Sequence, residues 1–353
     1  MQDGGISVQD SLLCMLFGGC YLLVLGFFLE YNSPKEFGES FDLLAMCKKD
    51  KSFKASAEDV KRVSNGNWET RYTAENNVEP VASNLDAKEE NKQFLMIEDL
   101  FKTYSNGHKA LNGINLKIYQ DQIFALLGQN GAGKTTFFSI LTGLYQPSRG
   151  SGECLGNDLF KEMHKVRSSM GVCPQFDVMF ELLTVEEHLD FFYELKCANP
   201  DKKVKSTEIT KLMTDAGVIE KRSALVSHLS GGNRRKVSVC VSLCGNSKFV
   251  LLDEPTSGMD LGARRKMWSM LREYRRNRII CLTTHYMDEA DVLGDRIGIM
   301  TAGQLSCLGS SMFLKKRFGK GYKIFIQKKL DANHNSSELL KYFHVKIGSD
   351  VVC

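Results

Sequence analysis

The stretch "GQNGAGKTT", Gly128 to Thr136, constrains this chain more than any other nine residues. It fits the pattern G-x-x-x-x-G-K-[ST]. An apolar run, Gln122 to Leu127, precedes it and reads as a strand; the residues after it read as a helix. A strand that turns through glycines straight into a helix aims several bare backbone N–H groups into one concavity, with the positive end of the helix dipole behind them. That is a seat for phosphate. Gly128, Asn130, Gly131 and Gly133 shape the loop, Lys134 is placed to reach β- and γ-phosphates, and Thr135 offers a hydroxyl to Mg²⁺ with Thr136 beside it.

The rest of the chain fits the sheet that such a loop requires. "FLMIE" and "GINLKIY" read as strands, the second with Ile114, Leu116 and Ile118 in clean alternation. Later strands are short and apolar throughout: Phe249 to Leu252, Ile279 to Thr283, Ile297 to Met300. Helical patterns separate them. Strands apolar on both faces and alternating with helices predict a mostly parallel sheet covered on both sides. Between Gln175 and Ser230 the strand signal stops. "TVEE" from Thr184 is a capping box, and Val185, Leu189, Phe192 and Leu195 then recur at helical spacing as a core stripe, so a helical insert is expected at about 176–230.

Other residues gain meaning from the phosphate loop. "FVLLDEP" is a buried strand ending in two carboxylates, and the carboxyl edge of a parallel sheet is where ligands sit. Asp253 is placed to hold Mg²⁺, and Glu254 to orient or deprotonate an attacking water. His285, after "CLTT", can donate a hydrogen bond to a γ-phosphate. Gln175, in "GVCPQFD", also ends a strand and can reach the metal and the water. Tyr104, in "FKTYSNG", can stack on adenine. "LSGGNRRKV", from Leu229, is a second helix start with bare N–H groups and cations, hence a second anion site; Arg234, Arg235 and Lys236 are expected to face solvent or partner acids rather than phosphate.

In this order and at these spacings the motifs resemble an ATP-binding cassette ATPase, and within that class a subfamily A transporter. "THYMDEADVLGDRIGIM" and "GSSMFLKKRFGKGYKI" carry the finer resemblance, which is to the first of the two cassettes in such proteins. It covers about 93–328. The resemblance implies a P-loop NTPase cassette of α/β class, with a mostly parallel sheet, an antiparallel β subdomain and a helical subdomain. It implies ATP and Mg²⁺ as ligands and hydrolysis as the reaction. It implies a second cassette as partner, from another copy or the other half of a transporter, facing this one head to tail. Ser230, Gly231 and Gly232 would then cap ATP held by the partner's phosphate loop, and Asp260, in "TSGMD", would pass between the two sites. Membrane helices and a lipid substrate follow from the family as well. Asn233 departs from the glutamine common in the wider class, and Gln120–Asp121 stands where many cassettes turn on glycine.

One segment breaks the soluble pattern. Ser11 to Leu29 carries no charge, and nineteen helical residues span roughly 28 Å, close to a bilayer core. No Lys or Arg precedes it, which argues against a signal peptide, whereas Lys35, Lys48, Lys49, Lys51 and Lys54 follow. That asymmetry predicts a spanning helix within 1–30 and a cassette on the cytosolic side; a buried apolar helix is the alternative. Residues 31–92 read as a polar linker and 329–353 as a tail without motif. The net charge of +4 gives no sign of a nucleic-acid partner. Eleven cysteines without pairing rhythm read as small buried thiols. Besides an engine for lipid transport, two functions remain open: a catalytically weak cassette that binds ATP and regulates an active partner, and a soluble cassette acting on ribosomes or DNA. The apolar segment disfavours the last.

Overall fold

The computed structural model describes residues 77–80, 85–197 and 200–319. The apolar 11–29 segment, most of the polar 31–92 stretch and the tail from 329 lie outside the described residues. Among the described residues no helix is long and apolar enough to cross a membrane.

The elements run α1 (Asp86–Glu90), β1 (Phe94–Thr103), β2 (Lys109–Tyr119), β3 (Gln122–Gly128), α2 (Lys134–Leu141), β4 (Arg149–Cys154), β5 (Asn157–Asp158), α3 (Met163–Arg167) and β6 (Met170–Cys173). Then follow α4 (Val185–Lys196), α5 (Lys202–Asp215), α6 (Gly231–Leu243), β7 (Phe249–Asp253), α7 (Leu261–Tyr274), β8 (Ile279–Thr284), α8 (Met287–Leu293), β9 (Arg296–Thr301), β10 (Gln304–Gly309) and α9 (Ser311–Phe318). The large sheet has the order β10-β9-β3-β8-β7-β6 and is parallel except for the β9–β10 edge. A second sheet, β2-β1-β4-β5, is antiparallel. The expected α/β architecture with an antiparallel β subdomain is therefore present.

Strand β3 shows why the chain folds this way. It lies between β8 and β9, so both of its edges are paired and both faces are covered. Its side chains alternate: Ile123, Ala125 and Leu127 enter a core with α4 to α8, while Phe124 and Leu126 enter a core with α2 and the antiparallel sheet. An apolar run without polar alternation suits only such a two-sided burial. At the far edge β6 lies against α6 so closely that a Cβ on Gly171 would sit 1.8 Å from the Ser242 carbonyl oxygen. Only glycine admits that approach.

The helical insert is there, with one correction. Thr184 and Glu187 cap α4 reciprocally, as the sequence predicts. The buried face of α4 is Val185, His188, Leu189 and Tyr193; Phe192 is half-buried and Leu195 is 66% exposed. Leu195 thus leaves the expected core stripe, and Tyr193, two residues before it, takes the inward position. The Gln120–Asp121 turn needs no glycine: Asp121 takes the left-handed conformation at φ 64°, which Asp tolerates better than most residues, and its carboxylate accepts from Asn277 N–H and the Lys88 ammonium. Six of the seven described cysteines are buried, and all seven are free thiols.

Candidate nucleotide site

Parallel strands deliver their carboxyl ends to one edge of the sheet, and the candidate residues gather there. The loop after β3 carries Gly128 to Gly133, β6 leads to Gln175, β7 ends in Asp253 followed by Glu254, and β8 leads to His285. A cleft of about 370 Å³ is lined by Tyr104, Asn130, Gly131, Gly133, Lys134, Thr135, Thr136, Gln175, Asp253 and Glu254. A larger cavity of about 490 Å³ lies across the loop, lined by Gly128, Gln129, Asn130, His285 and Thr301 among others. It holds none of Lys134, Asp253 or Glu254, so the chemistry belongs to the smaller one.

The loop is shaped by its glycines and its lysine. Gly133 takes φ 102° as the N-cap of α2, and a Cβ there would meet the Ala110 carbonyl oxygen at 2.6 Å. Lys134 is buried, and its ammonium donates to the carbonyls of Gly128 (2.7 Å) and Gln129 (3.1 Å). The charge therefore stands inside the curl of the loop. Tyr104 opens the turn between β1 and β2; its hydroxyl lies 3.1 Å from that of Thr136, and its ring meets Tyr145 edge-on.

The carboxylates differ in setting. Asp253 is buried and accepts a hydrogen bond from the Thr283 hydroxyl. Burial pushes its carboxyl above the usual carboxylate range, against the Thr283 bond that favours the anion. Glu254 is half-buried, and its Oε1 lies 3.2 Å from His285 Nδ1. Its backbone is left-handed at φ 50°, held by its N–H, which donates to the Thr283 hydroxyl at 3.0 Å. The donors for a divalent cation are Asp253, the Thr135 hydroxyl and the Gln175 amide, all oxygens. Among the described residues no group of three or more His, Cys, Asp or Glu could hold a metal. One carboxylate with neutral oxygens fits Mg²⁺ that is completed by phosphate and water.

Ser230, Gly231, Gly232 and Asp260 do not join the cleft. Ser230 and Gly231 are exposed at the start of α6, and Asp260 caps α7 by accepting from Ala263 N–H at 2.9 Å. The cations after them correct the expectation. Arg234 donates to the carbonyls of Val226 and Ser227, and Arg235 is 3% exposed, turned inward onto Pro174, Asp177, Asp253 and Glu254. Sequence reading also missed Glu289, a buried carboxylate that accepts from Thr256 (2.8 Å), Trp268 (3.1 Å) and Thr284 (2.6 Å) and so ties the segments after Glu254 and before His285 together. The acidic first turn of α8 was its only signal.

Known proteins are similar to this chain in sequence and fold. The sequence pattern of the family described as ABC transporter matches residues 111–257. Over 234 residues the chain is 46% identical to ATP-binding cassette sub-family A member 2 of Rattus norvegicus, which covers 66% of this chain and 10% of that protein. Over 254 residues it is 43% identical to Phospholipid-transporting ATPase ABCA3 of Homo sapiens, covering 71% of this chain and 15% of that one. The chain thus spans only a small part of the length of these relatives. A solved structure described as an ATP binding subunit of an ABC transporter superimposes with a TM-score of 0.59 at 25% identity, over 64% of this chain and 93% of its own. On these likenesses the chain belongs to the ATP-binding cassette family, and its cassette is of the subfamily A type.

Proposed function

We propose that this cassette binds ATP with Mg²⁺, hydrolyses it, and powers lipid movement by a membrane transporter. The observation that carries the reading is the placement of Glu254 at the sheet edge, bonded to His285 and lining the same cleft as Lys134, Thr135, Gln175 and Asp253. Glu254 orients and deprotonates the attacking water. Lys134 and the loop N–H groups hold the phosphates and take up developing charge. Thr135, Asp253 and Gln175 would hold Mg²⁺, which would supply neutralisation of phosphate charge. His285 holds the Glu254 carboxylate in place, and Tyr104 offers its ring to the base.

Two surfaces support the partners. Ser230 and Gly231, exposed at the start of α6, suit the phosphate end of a nucleotide held by a second cassette, and Asp260 is exposed at the start of α7. Phe176, Val178, Phe180 and Leu182 follow Gln175 in exposed positions, with Phe191 near by. That apolar surface suits the membrane helices of a transporter, with the cassette on the cytosolic side. Similarity to the human Phospholipid-transporting ATPase ABCA3 supports a phospholipid as cargo.

The test is ATP turnover by the full chain across protein concentration, beside Glu254→Gln. A working engine gives a rate that climbs faster than linearly, and a variant that binds ATP but is silent. ATP binding without turnover by either protein overturns hydrolysis by this cassette and leaves an ATP-binding regulator.

A further inference from the structure

Arg235 stands in the second turn of α6, 3% exposed, and every nitrogen of its guanidinium donates. Nη1 donates to the Pro174 carbonyl, to the Gln175 carbonyl at 3.2 Å and to Asp177 Oδ1 at 2.9 Å. Nη2 donates to the Asp253 carbonyl and, at 3.0 Å, to the Glu254 carbonyl, which Nε also approaches at 3.3 Å. A planar fork of five N–H groups can join two strand ends in this way, and a single ammonium cannot. Taking the charge out of water is costly, and Asp177 with four carbonyls satisfies it.

These partners are the backbone of the candidate site. The segments that present Gln175, Asp253 and Glu254 to the cleft are the ones whose carbonyls face Arg235. Glu254 is gripped from both ends: its N–H donates to Thr283 and its C=O accepts from Arg235. A left-handed glutamate persists only where the surroundings over-determine it, and these bonds supply that determination. The helix that carries Arg235 begins at the exposed Ser230–Gly231 pair.

We propose that Arg235 is a positioning residue that locks the Gln175 segment and the Asp253–Glu254 edge to α6, so that the groups serving this chain's own nucleotide move as one unit with the helix start offered to a partner. The turnover part of its test rests on the ATPase reading above; the structural part does not.

The experiment compares the full wild-type chain with Arg235→Gln and Arg235→Lys. Hydrogen exchange without nucleotide is expected to quicken by about tenfold or more at 174–179 and 253–258 in both variants, and to stay unchanged at 128–141. In turnover, kcat is expected to fall by about tenfold to a hundredfold with KM for ATP within about threefold, because misplaced groups cost rate more than binding. The Mg²⁺ concentration at half-maximal rate rises, and Lys does not rescue. Should Arg235→Gln fail to fold, Asp177→Asn, which removes the carboxylate and leaves the carbonyl bonds, is expected to quicken exchange at 174–179 alone. Lysine matching wild type in exchange and Mg²⁺ dependence would overturn the proposal, as would exchange rising evenly through the domain. A wild-type chain that turns over no ATP, with both segments still loosened in the variants, removes the ATPase reading and leaves the lock standing.

Discussion

The carboxyl edge of the large sheet and the helical region after Gln175 draw on similar residues and finish them differently. At the edge, each buried polar side chain that bears on the cleft has a partner inside the chain: Lys134 on two carbonyls, Asp253 on Thr283, Glu289 on three donors, Arg235 on two segments. In the helical region Leu182 is 86% exposed and Val178 78%, and His188 is buried with neither ring nitrogen hydrogen-bonded. Preorganised charge needs fixed dipoles that do not rearrange during reaction. A surface built to meet another body needs its apolar area outside. The first region satisfies its buried polar groups within the chain, and the second leaves apolar area exposed.

The sharpest way to break this contrast is at Lys134. Lys134→Ala is expected to cut turnover by at least about 10²–10³-fold, with thermal stability near that of wild type. A retained rate in a steady-state assay would remove the edge from the chemistry. Next in size is Leu189→Ala. Leu189 is fully buried on the inner face of α4, so the change should cost about 2–5 kcal/mol in denaturant unfolding. Nucleotide affinity of the folded fraction should hold, since no site residue rests on α4.

His188 gives a smaller, pH-dependent effect. Burial among Phe180 and Phe192 pushes its imidazole pKa down. An unfolded chain takes up the proton first, so stability is complete above the unfolded value of about 6.5 and falls as pH drops towards the depressed folded value. Melting temperatures followed from pH 7.5 to 5.5 should therefore decline, and His188→Phe should flatten that slope. The smallest effect is at Leu182→Ser, expected to change stability by no more than about 0.5 kcal/mol and to reduce self-association in light scattering. A large loss of stability there would mean the apolar surface is sealed within the chain.

What the sequence made legible follows from how far apart the partners stand along it. The phosphate loop and the Asp253–Glu254 pair are read within nine residues because strand, turn and helix are contiguous. Arg235 bonds carbonyls and a carboxylate 18 to 61 residues away, and a carbonyl has no residue type to announce it. Its place after two glycines therefore read as surface charge. Glu289 was hidden similarly, its donors being Thr and Trp side chains from three elements. Strand β4, "RGSGEC", and β5 carry no apolar alternation; β4 pairs because β1 offers an edge and β5 pairs with β4 in turn, which is a tertiary cause. Leu195 was misread because a helical stripe drifts, and the inward face passes to Tyr193 in the third turn. The 11–29 segment lies outside the described residues.

Glu254 holds its place in a backbone region that costs a non-glycine residue roughly 1–2 kcal/mol. Glycine or asparagine would sit there with less strain. Thermodynamic selection on this domain therefore pulls against the carboxylate proposed to orient the attacking water. In a lineage where turnover ceased to matter, this position is where drift would begin, and the domain would lose its chemistry while becoming no harder to fold.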